Sequence, residues 1–111
     1  MRSYKLLIMS NPVPDREDDY NDWYQNIHLG QLMTLPGFKS AQRFRRVRSL
    51  VEGETHPYLA VYELETDDID SVLDGLRTAA ANNRLTMSDT LDTSNIYAVV
   101  YEKFGDEVVE I

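Results

Sequence analysis

Three segments of this chain are apolar at odd and even positions alike: KLLIM (5–9), YLAVY (58–62) and IYAVVY (96–101). A β-strand turns successive side chains to opposite faces, so strands of this kind have two apolar faces to cover. A single layer of helices covers only one of them. Whatever these strands build must therefore meet something else on its second face.

The elements around them are readable. Residues 3–9 form a strand that the two prolines of NPVPD break. Asp15 stands where it can cap a helix running from about 16 to Leu35, and Glu17, Asp18 and Asp19 place negative charge in its first turn. Pro36-Gly37 ends that helix. Residues 38–47 and 57–64 form two strands joined by a polar connector. Thr66 or Asp67 caps a second helix, with Ile69, Val72, Leu73, Leu76 and Ala80 as its buried stripe and Asn82-Asn83 at its end. Residues 95–104 form the last strand. The order β-α-β-β-α-β over residues 1–111 is that of one ferredoxin-like α+β domain, an antiparallel four-stranded sheet with two helices on one face. The second sheet face, carrying Tyr97, Val99 and Tyr101 or their neighbours, is expected to meet a second copy of itself in a homodimer.

Bulk properties narrow the function. A net charge of −8 argues against nucleic acid or an anionic membrane as partner. The absence of cysteine excludes disulfides, thiolate metal sites and Cys nucleophiles. No apolar run approaches the ~20 residues of a membrane span, and Leu6–Met9 is too short for a signal peptide. A cytoplasmic protein is expected. His28 and His56 are the only histidines and lack metal-ligand spacing, so no metal is expected. No Gly-rich phosphate loop is present, so no nucleotide cofactor is expected either.

The densest chemistry lies in NDWYQNIHLGQLMTLPGF (21–38). Three- and four-residue steps put Tyr20, Trp23, Tyr24, Ile27, His28, Gln31, Leu32 and Leu35 on one helix face. His28 then sits beside Trp23, Tyr24, Ile27 and Leu32, a wall suited to a flat ligand. Its helical neighbours three and four positions away include no carboxylate, so a catalytic triad is unsupported. Two roles are open to it: general base, or a packed side chain bonded to a strand carbonyl or a Tyr hydroxyl. Tyr58 and Tyr62 share one sheet face, and Tyr97 and Tyr101 share one, so Tyr62 and Tyr97 are candidates to line a pocket. Arg43 is a candidate for pairing with a substrate carboxylate.

The stretch NDWYQNIHLGQLMTLPGFKSAQRFR, followed by YLAVYELE and an acidic helix start, resembles the EthD-like branch of the dimeric α/β-barrel superfamily. The resemblance spans roughly residues 4–104. It rests most sharply on W-Y-x-x-x-H in a helix ending L-P-G-F, then a strand of the S-A-Q-R-F type. It implies ferredoxin-like protomers paired into a barrel, each with a small-molecule cavity between helices and sheet. It also implies that the histidine matching His28 is a candidate reactive group. Relatives include proteins of polyketide ring closure, cofactor-free oxidation of aromatics, lactone isomerisation and haem breakdown. The expectation is a cofactor-independent enzyme that uses His28 for proton transfer on an apolar aromatic or carbonyl-bearing metabolite. The alternatives are a non-catalytic binding or accessory protein, and a haem-binding relative with His28 as iron ligand.

Overall fold

The computed structural model describes residues 1–53 and 55–111. The element order is β1 (Arg2–Ser10), α1 (Glu17–Trp23), a π turn (Tyr24–His28), α2 (Leu29–Leu32), β2 (Phe38–Arg45), β3 (Tyr58–Thr66), α3 (Ile69–Ala81) and β4 (Tyr97–Glu102). α1, the π turn and α2 follow one another without a break and form the first helix. The strands lie in the order β2-β3-β1-β4, every neighbouring pair antiparallel, which is the ferredoxin-like α+β arrangement.

Strand alternation sorts the side chains. Tyr4, Leu6 and Ser10 of β1 and Ala60, Tyr62 and Leu64 of β3 are buried under the helices. In β2 the register shifts between Phe38 and Ser40, a β-bulge that changes the parity of the strand. Phe38 before it and Arg43 beyond it therefore reach the same helix-covered side. In β4, Ala98 and Val100 pair with Ile8 and Leu6 on that side, leaving Tyr97, Val99 and Tyr101 on the other.

That other face has no cover. Leu7, Met9, Leu59, Val61 and Val99 are only half-buried there, and Phe44, Tyr97 and Tyr101 are about half exposed, at 51%, 48% and 53%. The protein is a slab of 42 × 40 × 22 Å. Its radius of gyration is 15.1 Å, against about 13 Å for a compact domain of this length. Both figures describe two layers where a closed core would need a third.

Several boundaries differ from the sequence reading, for local reasons. Asp15 does not cap the first helix. It adopts a left-handed φ of 65°, and Arg16 is the N-cap, with no side-chain cap bond. The helix ends at Leu32 rather than Leu35, because Thr34 and Leu35 donate to carbonyls three residues back and tighten the final turn. α3 is capped by Asp68, whose carboxylate accepts from the Ser71 N–H at 3.1 Å, and not by Thr66 or Asp67. Its most buried alanine is Ala79, not Ala80. β2 stops at Arg45 and β4 spans Tyr97–Glu102, both shorter than expected.

The turn after the first helix is packed tightly. Gly37 has φ +89°, and a Cβ there would stand 2.7 Å from Val72 Cγ2 of α3. Gly37→Ala is therefore expected to cost about 1–3 kcal/mol, from backbone strain and overpacking together. Urea denaturation would read this as a lower midpoint at unchanged slope.

Candidate functional site

The π turn decides which residues of the first helix face the sheet. The Leu29 N–H donates to the Tyr24 carbonyl, five residues back, and the turn accommodates one extra residue. His28 thereby stacks on Trp23, five positions earlier, with ring centroids 4.6 Å apart and planes at 30°. It meets Tyr24 edge-on at 5.0 Å and 83°. Leu29 is buried as well. Ile27, placed on the stripe by a uniform 3.6-residue period, is rotated outward and is 41% exposed.

His28 is 8% exposed, and its Nδ1 is buried without a hydrogen-bond partner among the described residues. No protein group fixes its tautomer through that atom. Burial lowers its pKa from 6.5 to about 4, because desolvation disfavours the charged ring. The imidazole is therefore neutral at neutral pH. The structure accordingly gives Nδ1 neither the strand carbonyl nor the Tyr hydroxyl that a packed, bonded histidine would use.

His28 lines a cavity of about 180 Å³. Trp23, Tyr24 and Leu32 of the first helix form the same wall, Leu76 of α3 another, and Ile8 and Ser10 of β1 a third. The segment 84–96 contributes Leu85, Met87, Leu91 and Ile96, and the exposed Met87 and Ile96 stand at the cavity mouth. That strap is tied at both ends. Gln31 donates to Thr86 Oγ1 at 2.8 Å and accepts from the Thr86 N–H at 2.7 Å. Trp23 Nε1 donates to the Thr86 carbonyl at 2.7 Å. At the other end the Val13 N–H donates to the Thr90 carbonyl at 2.7 Å, and Pro12 bridges Leu91.

Ser10 is a site residue that the sequence reading missed. It is 1% exposed, lines the cavity, and its Oγ lies 2.5 Å from the Tyr20 hydroxyl. A serine at the end of a strand carries no signal of its own; only the register of β1 brings it under the helix. Behind it, Tyr62 donates to the Tyr24 hydroxyl at 3.5 Å. Burial pushes the pKa values of Tyr20, Tyr24 and Tyr62 upward, so all three remain protonated donors.

The expected site residues thus divide. Trp23, Tyr24 and His28 come together at the cavity. Tyr62 stands behind it in the core. Ile27 faces outward. Tyr97 lies on the uncovered sheet face, away from His28, because its β4 register pairs it with Met9. Arg43 reaches the helix side, but its guanidinium lies over the rings of Tyr24, Tyr58 and Tyr20 at 4.7, 5.4 and 5.7 Å. It also donates to Asn21 Oδ1 at 2.6 Å. It holds the first helix on the sheet instead of lining the cavity. Among the described residues, no three His, Cys, Asp or Glu side chains gather where they could hold a metal, and no helix is long and apolar enough to cross a membrane.

The low pKa of His28 makes stability depend on pH. The unfolded chain takes up this proton near pH 6.5, the native protein only near pH 4. Above 6.5 both states are neutral and the residue contributes nothing. As pH falls from 6.5 to 4 the unfolded state gains the proton first, so stability drops, by roughly 3 kcal/mol in full. His28→Leu is expected to flatten this part of the curve. Thermal melts of both proteins between pH 4 and 7 should show wild type gaining stability relative to His28→Leu as pH rises, levelling off above 6.5.

No protein-family model matches the chain, and no curated protein matches it. Solved structures do. The chain is similar to a proposed monooxygenase from Shewanella loihica PV-4, with 16% identity and a TM-score of 0.61 over 95% of this chain and 97% of that one. It is similar to an EthD family protein from Bacillus halodurans C-125, with 17% identity and a TM-score of 0.62 over 92% and 99%. It is also similar to a dimeric ferredoxin-like protein of unknown function from Jannaschia sp. CCS1, with 18% identity and a TM-score of 0.65 over 91% and 99%. At these identities the likeness is one of fold. It is the ferredoxin-like α+β fold that the element order and the EthD-like resemblance both implied.

Proposed function

We propose that this chain, sharing its fold with an EthD family protein and a proposed monooxygenase, is a small-molecule enzyme that needs no cofactor and uses His28 for proton transfer. The observation that carries the reading is a desolvated, neutral imidazole on the wall of a largely apolar cavity. The substrate is an apolar aromatic or carbonyl-bearing metabolite. His28 takes the proton from a carbon next to the carbonyl, and the C–H electron pair passes to the carbonyl oxygen as an enolate. The Ser10 hydroxyl, held by Tyr20, donates to that oxygen. The imidazolium then returns the proton, to the same carbon or to another. A charged ring is costly in this cavity, so imidazolium and enolate are stabilised chiefly by each other. The acid limb of kcat/KM should consequently fall near pH 4 rather than 6.5.

The same reading pairs two protomers through their uncovered sheet faces, as expected from the doubly apolar strands and supported by the likeness to a dimeric ferredoxin-like protein. A cytoplasmic location belongs to it too. The haem alternative is less well supported: the cavity of about 180 Å³ is small for a four-ring macrocycle, and among the described residues no cationic side chain lines it to meet the propionates. Mass spectrometry of small molecules retained by the purified protein tests the reading. Recovery of a carbonyl-bearing or hydroxylated aromatic that the protein turns over supports it. A retained ligand that the wild-type protein leaves unchanged would favour the accessory-protein alternative.

A further inference from the structure

The cavity beside His28 describes its ligand independently of any reaction. Its volume of about 180 Å³ is close to the roughly 150 Å³ of an engineered apolar cavity that binds one benzene ring. Among the described residues its lining contains no Asp, Glu, Lys or Arg; beside Ser10 and His28 it is aliphatic, thioether and aromatic. Arg43, which could have met a carboxylate, is absent from that lining and committed to Asn21 and the tyrosine rings. A carboxylate ligand would therefore lose its hydration and gain no counter-charge. A purely apolar ligand is disfavoured for the opposite reason. His28 lines the cavity, and its neutral imidazole offers one donor and one acceptor. Ser10 adds a hydroxyl on the same cavity.

We infer that the cavity binds an uncharged, single-ring aromatic molecule carrying one hydroxyl or carbonyl group, of about cresol size, and excludes carboxylates and polycyclic compounds. The inference rests on the reading that the His28 cavity is the functional one, and it narrows that site's ligand class.

Trp23 is the chain's only tryptophan and lines the cavity, so its fluorescence reports occupancy directly. The test titrates the wild-type protein at neutral pH with p-cresol, toluene, benzoate and 9-phenanthrol, following Trp23 fluorescence and calorimetric heat. The expected result is saturable p-cresol binding, benzoate weaker by at least about tenfold, and no saturable binding of the tricycle. In His28→Leu, toluene still binds and the preference for p-cresol over toluene falls by about tenfold. Benzoate or 9-phenanthrol binding as tightly as p-cresol would overturn the inference. So would p-cresol failing to saturate, or a p-cresol preference unchanged in His28→Leu. The wild-type series does not depend on the variant folding. These titrations read occupancy and not turnover. A protein that binds p-cresol selectively but turns nothing over refutes the enzymatic reading alone. One that turns over a carboxylate refutes this inference alone.

Discussion

His28→Gln is expected to lower kcat/KM by about 10²–10⁴ while leaving the fold intact, the usual contribution of a positioned general base. Glutamine keeps a polar side chain at the cavity wall but cannot accept a proton at accessible pH. Three features set the size of the loss. The imidazole has no carboxylate beside it on the helix, so no neighbour can take over its role. The hydroxyl-bearing side chains of the lining, Ser10 and Tyr24, supply no base, and Tyr24 and Ser10's partner Tyr20 are held protonated by burial. The 84–96 strap flanks the ring with apolar side chains, which offer no alternative base. Circular dichroism and the urea midpoint establish that the variant is folded. Steady-state kinetics on the molecule recovered from the protein then read the effect. Activity within about twofold of wild type would remove His28 from the mechanism.

Val99→Asp is expected to produce the largest structural effect: conversion of the proposed dimer to monomer. Val99 lies midway along the edge strand β4 on the uncovered sheet face, opposite Leu7 of β1 and flanked on its own strand by Tyr97 and Tyr101. A carboxylate buried between two such faces is left without a counter-charge, at a cost of at least ~3 kcal/mol per copy. Two symmetry-related copies double it, so the dissociation constant should rise by about 10⁴-fold or more. The helix side of the sheet is untouched, so each protomer should keep its fold and its His28 cavity. Sedimentation velocity at micromolar concentration separates the outcomes. A wild-type protein that sediments as a monomer, or a variant that stays dimeric, would show that the exposed face has another purpose.

Much of the architecture was legible because it depends on pattern at long range. Doubly apolar strands, Pro36-Gly37 and the acidic helix starts were enough for the element order, and that order has few folded solutions. The second face of the sheet was legible for the same reason. What was not legible depends on single-residue register. The π turn carries no distinctive residue, yet it moves Ile27 out of the stripe and brings His28 over Trp23. The bulge at the start of β2 likewise decides that Arg43 reaches Tyr24 rather than solvent. Ser10 and Tyr97 were placed only when β1 and β4 were paired residue by residue. Trp23, Tyr24 and His28 were found early because they crowd one short segment. Ser10 lies in a different segment and was not.

Nitrogen-15 NMR of the His28 ring, followed from pH 7 to pH 3.5 with and without p-cresol, shows whether His28 is a neutral, desolvated imidazole that meets the ligand in its cavity. The expected result is a ring that stays neutral down to about pH 4 and whose nitrogen shifts change when the ligand binds. A ring that titrates near 6.5 and does not respond to ligand would contradict it.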